Sequence, residues 1–220
     1  MRYPGGKWKT YQHIINLIPP HKTYIEAFLG SGAVLKKKRL AARTIGIEID
    51  PKVLNMFDKH HDSIELIQGD ALKYLDNFPY TGDEVVYCDP PYHPSTRYRN
   101  KVYRFDFTEV DHIKFLEIIK NLPCRVLVSG YDNEMYQTTL TSWSRYEFYS
   151  KTHRDIRKEI VWFNYEMPIA LHDISHLGSN FRERQNIKRR MERLKRRINN
   201  LSPPEQKEIY LWLNQHRGSL

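Results

Sequence analysis

Asp89-Pro90-Pro91-Tyr92 follows the predicted strand Glu84 to Cys88, apolar from Val85 onward. At average residue usage the tetrapeptide should arise by chance in roughly one in a thousand chains of this length, so chemistry is a better account of it than a turn. An exocyclic amine on a nucleobase is a poor nucleophile, because its lone pair is delocalised into the ring. A carboxylate such as Asp89, together with the Pro90 carbonyl, can accept its two N–H bonds and draw the nitrogen toward tetrahedral geometry. The lone pair is then localised toward an electrophilic methyl. Two prolines stiffen the loop and remove backbone donors that would compete. Tyr92 offers a flat face for the ring to stack on, worth about 1–3 kcal/mol per base.

A second group surrounds Phe28-Leu29-Gly30-Ser31-Gly32. Glycines between a strand and a helix let a ligand approach the backbone and aim amide N–H groups at it. Gly30 and Gly32 are therefore candidate ligand contacts. Asp50 follows the next apolar strand and is placed to accept hydrogen bonds from ribose hydroxyls, as acids do in dinucleotide folds. Asp70, after the third strand, is a weaker candidate of the same kind. The histidines, including His60, His61 and His153, show no metal-ligand spacing. No metal is expected.

These residues need elements to hold them. Trp8, Tyr11, Ile14, Ile15 and Ile18 share one helical face, and Pro19-Pro20 stops that helix. Strands are predicted at Thr23–Phe28, Thr44–Ile49, Ile64–Ile67, Glu84–Cys88, Arg125–Ser129, Tyr146–Tyr149 and Ile160–Asn164. Helices are predicted from Ala33 to about Arg43, from Asp50-Pro51 as cap and first position, and from the capping box Thr108-Glu109-Val110-Asp111 to about Asn121. This alternation implies an α/β chain with a mostly parallel, doubly wound sheet. Gly30, Asp50, Asp70 and Asp89 would then lie at C-terminal strand ends, where such sheets bind ligands.

The chain has 220 residues, 40% of them hydrophobic, enough for one medium domain or one domain with an appendage. Its net charge of +9 suits a polyanionic partner. That charge is concentrated: Phe181 to Asn200 carries nine basic and two acidic side chains. Arg189 and Arg193 lie in this window. Ile187, Met191, Leu194, Ile198 and Leu201 form a narrow apolar seam on the same helix. Ser202-Pro203-Pro204-Glu205 then caps a second helix. Residues 1–177 are expected to form a catalytic domain and 178–220 a basic helical hairpin. Cys88 and Cys124 sit in apolar runs with no disulfide framework, and read as reduced core thiols. No stretch approaches a membrane span, and the N-terminal segment is not a signal peptide. A cytoplasmic protein is expected.

Taken together, Arg2-Tyr3-Pro4-Gly5-Gly6-Lys7, Glu26-Ala27-Phe28-Leu29-Gly30-Ser31-Gly32-Ala33-Val34, Asp50 and Asp89-Pro90-Pro91-Tyr92 resemble the Dam-type DNA adenine-N6 methyltransferases in content and order. The resemblance covers about residues 1 to 165. It implies a Rossmann-like methyltransferase fold that uses S-adenosylmethionine as cofactor, and double-stranded DNA whose target base leaves the stack. It also implies that Tyr3 and Lys7 contact the cofactor beside Phe28, Gly30 and Gly32. Asp50 would be the ribose acid, and Asp89, Pro90 and Tyr92 the catalytic loop. Lys7 is chemically suited to the methionine carboxylate.

One departure bears on specificity. The family usually inserts a target-recognition domain before the catalytic loop, but only the 18 residues from Ala71 to Cys88 separate Asp70 from it here. Two other segments could meet nucleic acid. His93 to Arg104 interleaves Arg97, Tyr98, Arg99, Lys101, Tyr103 and Arg104, a mixture suited to phosphate contact and stacking. The basic helix at 181–201 suits phosphates without reading sequence. A site-specific DNA adenine-N6 methyltransferase of the restriction-modification kind is the leading expectation. Cytosine-N4 or RNA base methylation, and a binding protein with a relic methyltransferase domain, stay open as alternatives.

Overall fold

A computed structural model of the chain describes residues 6–57, 63–97, 104–151 and 155–216. Two compact units emerge, Met1–His172 and Asp173–Leu220. The division falls five residues before the expected 177/178 boundary. His172 explains the difference. Its N–H donates to the Ile18 carbonyl at 2.9 Å, Arg39 donates to its carbonyl, and its ring stacks on His21 at 4.0 Å. The chain up to His172 is thereby tied to the first unit.

The first unit is built on seven strands: β1 (Thr23–Ala27), β2 (Arg43–Glu48), β3 (Glu65–Gln68), β4 (Glu84–Cys88), β5 (Arg125–Tyr131), β6 (Ser144–Lys151) and β7 (Ile156–Phe163). Their order is β3-β2-β1-β4-β5-β7-β6. β1 to β5 run parallel, while β7 enters antiparallel between β5 and β6. All five residues of β4 are buried: Val85 to Cys88 form the apolar run of a central parallel strand, and the Glu84 carboxylate accepts from Thr81 and Gly82. This is the Rossmann-like architecture expected of the sequence.

Helices cover both faces. Ile25, Ile47, Val86, Val128 and Trp162 face α4 (Ala71–Asn77), α5 (Glu109–Asn121) and α6 (Glu134–Thr139), through Leu75, Phe115, Ile119 and Tyr136. Tyr24, Val85, Tyr87, Leu127 and Phe163 face α1 (Tyr11–Ile15) and α2 (Ala33–Lys37), through Ile14, Ile15, Val34 and Leu35. The predicted capping box is formed on α5: Thr108 Oγ1 accepts the Asp111 N–H at 3.3 Å, and the Asp111 carboxylate accepts the Thr108 N–H at 2.8 Å. α3 (Pro51–Asn55) starts at the predicted proline.

Some boundaries differ. The helix expected over Trp8 to Ile18 is α-helical only over Tyr11–Ile15, and tight turns, Leu17 N–H to Ile14 and Ile18 N–H to Ile15, carry it to the prolines. α2 stops at Lys37, because Lys38 is already extended at ψ 155° on the way into β2. α6 was not expected. At six residues it is too short to show a period, and only its Asn133 cap, accepting the Tyr136 N–H at 3.0 Å, marks it.

The second unit carries α7 (Phe181–Asn199) and α8 (Pro203–Gln215). Asn180 caps α7 by accepting the Glu183 N–H at 2.9 Å, and the Glu205 carboxylate accepts the Ser202 N–H at 2.8 Å ahead of α8. Along α7, Ile187, Met191 and Ile198 are half-buried, whereas Arg189 and Arg193 are exposed. Among the described residues no helix is long and apolar enough to cross a membrane.

Candidate active site

The sheet order reverses between β1 and β4, whose last residues, Ala27 and Cys88, are paired. The loops leaving these strands therefore diverge from one point, opening a crevice between them. That crevice holds a cavity of ≈ 270 Å³, lined by Lys7, Glu26, Phe28, Gly30, Glu48, Asp70, Asp89 and Phe107 among others.

The 28–32 loop is wound left-handed at alternate residues: Phe28 at φ 65°, Gly30 at φ 50° and Gly32 at φ 61°. Left-handed backbone is strained in a residue with a Cβ, at a cost of about 1–3 kcal/mol. Phe28 is held there by its ring, packed edge-on against Phe107 (5.4 Å) and Phe115 (5.7 Å). The Leu29 N–H donates to the Ile47 carbonyl at 2.8 Å, and the Gly30 N–H to Glu48 Oε2 at 2.8 Å. Gly32 is a correction to the sequence reading. It does not line the cavity, and a Cβ there would lie 2.4 Å from Phe57. Its role is to let the chain turn into α2 against Phe57. Gly32→Ala is expected to lose about 2–5 kcal/mol of stability from left-handed strain plus overpacking, measured by urea unfolding. Unchanged stability with lost cofactor affinity would reverse that assignment.

The acids also sort differently from expectation. Asp50 does not line the cavity; its carboxylate caps α3 through the Lys52 N–H at 2.9 Å and pairs with Arg104 at 3.4 Å. Glu48, two residues earlier and missed by the sequence reading, does line it. Its other oxygen accepts the Asp50 N–H at 2.9 Å, so it braces two loops at once. The available signal was its place as the last residue of an apolar strand, but Asp50-Pro51 outshone it as a helix start. Asp70 lines the cavity and caps α4 through the Leu72 N–H at 2.8 Å.

At the 89–92 end of the cavity, Lys7 Nζ donates to Asp89 Oδ1 at 2.8 Å and to Tyr92 Oη at 2.7 Å. Tyr92 Oη donates in turn to Glu159 Oε2 at 3.0 Å, and Glu159 lies 3.7 Å from Lys7 Nζ. Glu159, on β7, is the second residue missed from the sequence. Lys7 lines the cavity, and its ammonium pairs with Asp89. Burial holds the Asp89 carboxyl above the usual carboxylate range, opposed by Lys7 and reinforced by Glu159. Pro90 is buried and Pro91 is the proline that faces the cavity. The Tyr92 ring lies edge-on to Tyr131 at 4.6 Å.

Arg97 is a further correction. It was expected to meet phosphate, but its side chain is only 6% exposed. Both Asp106 oxygens accept from its Nη1 at 2.6 Å, and its Nε donates to the Tyr92 carbonyl. It ties the 89–92 loop to Asp106, a cavity-lining residue. Arg104 is exposed. Tyr3, Arg99 and Lys101, with Tyr98 and Tyr103, lie outside the described residues, as do His60, His61 and His153.

Glu26 sits on the cavity floor, 3% exposed, accepting the Tyr24 hydroxyl at 2.8 Å. Burial pushes its carboxyl up to about 8. A carboxyl raised on folding favours the folded state fully below its unfolded value near 4.5, and that contribution is lost as pH rises through about 8. The melting temperature is thus expected to fall from pH 5 to 8.5, and Glu26→Gln to shrink that fall. An unaltered slope in the variant, by differential scanning calorimetry, would remove Glu26 as its cause.

The sequence matches the family described as D12 class N6 adenine-specific DNA methyltransferase over residues 3–77 and 50–155. The chain belongs to that family. As a D12 methyltransferase its cofactor is S-adenosylmethionine, and the cavity suits such a molecule. It offers Glu48 and Asp70 to hydroxyls, Phe28 and Phe107 to a flat ring, and an acidic wall to a cation. No curated protein matches the chain by sequence. Among solved structures it is similar to M. capricolum TrmK in complex with S-adenosyl-homocysteine, at 14% identity, 96% of each chain and a TM-score of 0.48. It is also similar to a putative RNA methyltransferase, PH1948, from Pyrococcus horikoshii, at 13% identity, 74% of this chain, 84% of that one and a TM-score of 0.47. A third is N-methyltransferase NodS from Bradyrhizobium japonicum WM9, at 11% identity, 71% and 94% coverage and a TM-score of 0.49.

Proposed function

We propose that this D12 methyltransferase methylates the N6 amino group of adenine in DNA. The observation that carries the reading is the Asp89 carboxylate, set in the rigid 89–92 loop at the edge of the cavity and held by Lys7. Bound S-adenosylmethionine supplies an electrophilic methyl on sulfur. The protein's part is to hold and orient the amine. Asp89 and the Pro90 carbonyl accept its N–H bonds, and Tyr92 supports the ring. Positioning of this kind lowers the barrier without a strong base, because the proton can leave nitrogen after the methyl arrives. Glu48 and Asp70 hold the donor, and Phe28 packs against it.

Adenine in DNA, rather than another base or RNA, is supported by the family to which the chain belongs. Transfer of tritiated methyl to DNA and RNA, followed by nucleoside analysis, tests it. N6-methyldeoxyadenosine is expected, whereas label only in N4-methylcytosine or only in RNA would overturn it.

The DNA backbone is assigned to exposed arginines of α7, among them Arg189 and Arg193. Each phosphate contact contributes about 0.9 to the slope of log affinity against log salt on duplex DNA. Arg189→Ala with Arg193→Ala is expected to reduce that slope by about 2. An unchanged slope in fluorescence titrations would move the contact elsewhere.

A further inference from the structure

Glu159 belongs to no expected motif and lies beyond residue 155, where the family match ends. Its setting is nevertheless constrained. It is 7% exposed, on β7, in register with Tyr131 of β5 and Phe148 of β6. Its carboxylate accepts the Tyr92 hydroxyl at 3.0 Å and stands 3.7 Å from Lys7 Nζ, while the same ammonium is bonded to Asp89 at 2.8 Å. Two carboxylates, Glu159 buried and Asp89 half-buried, thus share one lysine. This arrangement poses a conflict for the proposed reaction. An Asp89 oxygen bonded to an ammonium is a poorer acceptor for the target amine, and simply withdrawing a nearly buried ammonium from its partner is costly.

We propose that Glu159 is a positioning residue that takes over the Lys7 ammonium when the target base enters, freeing Asp89 to accept the amine. The exchange needs Lys7 Nζ to move by about the difference between its two carboxylate distances, roughly 1 Å. Tyr92 Oη is bonded to both Lys7 and Glu159, so it keeps the pair aligned through the move. The charge count of the pocket is unchanged throughout, and no proton has to travel. Glu159 never touches the base or the donor. It acts through Lys7.

The inference rests on the base-methylation reading, and its tests separate the two. If wild type transfers no methyl to a base amine in DNA or RNA, the reading itself fails. Given transfer, Glu159→Gln keeps an acceptor for Tyr92 and removes only the charge that Lys7 needs. The expected result is a fall in kcat of about a hundredfold, the scale of a 1 Å misplacement, with KM for S-adenosylmethionine within about twofold. In a Lys7→Met background the same change should have little further effect, because there is no ammonium left to hand over. Unchanged kcat in Glu159→Gln, or an equal loss with and without Lys7, overturns the proposal. A structure of the wild-type protein with S-adenosyl-homocysteine and an oligonucleotide containing the site it methylates gives a test free of folding effects. Lys7 Nζ within hydrogen-bond distance of Glu159 and parted from Asp89 supports the exchange; Lys7 still on Asp89 with the amine in place overturns it.

Discussion

Asp89→Ala is expected to lower kcat/KM for methyl transfer by about a hundred- to a thousandfold, the loss seen when a preorganised group aimed at the reacting centre is removed. Nothing else in the 89–92 loop replaces its carboxylate. Pro90 and Pro91 have no side-chain acceptor, and the Tyr92 hydroxyl is committed to Lys7 and Glu159. The fold should survive, since Lys7 keeps Glu159 and Tyr92 as partners and Asp89 gives up a carboxyl whose ionised form is already disfavoured by burial. Binding of nucleic acid should be retained. Tritiated methyl transfer under single-turnover conditions checks this, with S-adenosylmethionine affinity by calorimetry as the control. Retention of more than a tenth of the wild-type rate would displace Asp89 from the centre of the mechanism.

Arg97→Ala should cost about 3–5 kcal/mol of stability, the penalty for stranding one partner of a buried ion pair. Asp106, whose side chain is 15% exposed, would be left without its guanidinium, and the Tyr92 carbonyl would lose the donor that anchors it. Activity should fall with the anchoring of the loop. Arg97→Lys is not expected to rescue it, because one ammonium cannot reproduce a planar fork that reaches the Asp106 carboxylate and a backbone carbonyl together. Urea unfolding measures the first effect. The salt dependence of DNA binding distinguishes this role from a phosphate contact: the slope should match wild type, and a slope reduced by about 1 would restore the original expectation.

The contrast between Arg97 and Arg104 shows what was legible in the sequence. All seven strands were evident, because apolar runs such as Val85 to Cys88 can be buried in few ways. The α5 capping box was evident because its chemistry is local. The candidate site was legible wherever a motif sits directly in the cavity, as at Phe28, Gly30, Asp70 and Asp89. It was not legible where long-range pairing decides. Arg97 and Arg104 are alike in a basic, aromatic segment, yet one is buried on Asp106 and the other is exposed. Glu48 and Asp50 are both acids at one strand end, and only the direction in which each side chain leaves the backbone separates a cavity wall from a helix cap. Glu159 looks like one charge among several in Arg157-Lys158-Glu159. Its partners, Lys7 and Tyr92, are far away in sequence.

The reversed direction of β7 has a consequence for how such an enzyme can diversify. A strand inserted against the grain starts where its parallel neighbours finish. Arg157 and Glu159 therefore fall beside the catalytic loop, where Arg157 donates to the Thr96 carbonyl at 2.7 Å, while Val161 and Phe163 fill the interior. The end of β6 at Lys151 and the start of β7 at Ile156, paired with each other, consequently lie at that same end of the sheet. Changes confined to the first residues of β7 would alter what stands beside the 89–97 segment while leaving Val161 and Phe163 in the core, so new preferences could evolve at this edge independently of the scaffold.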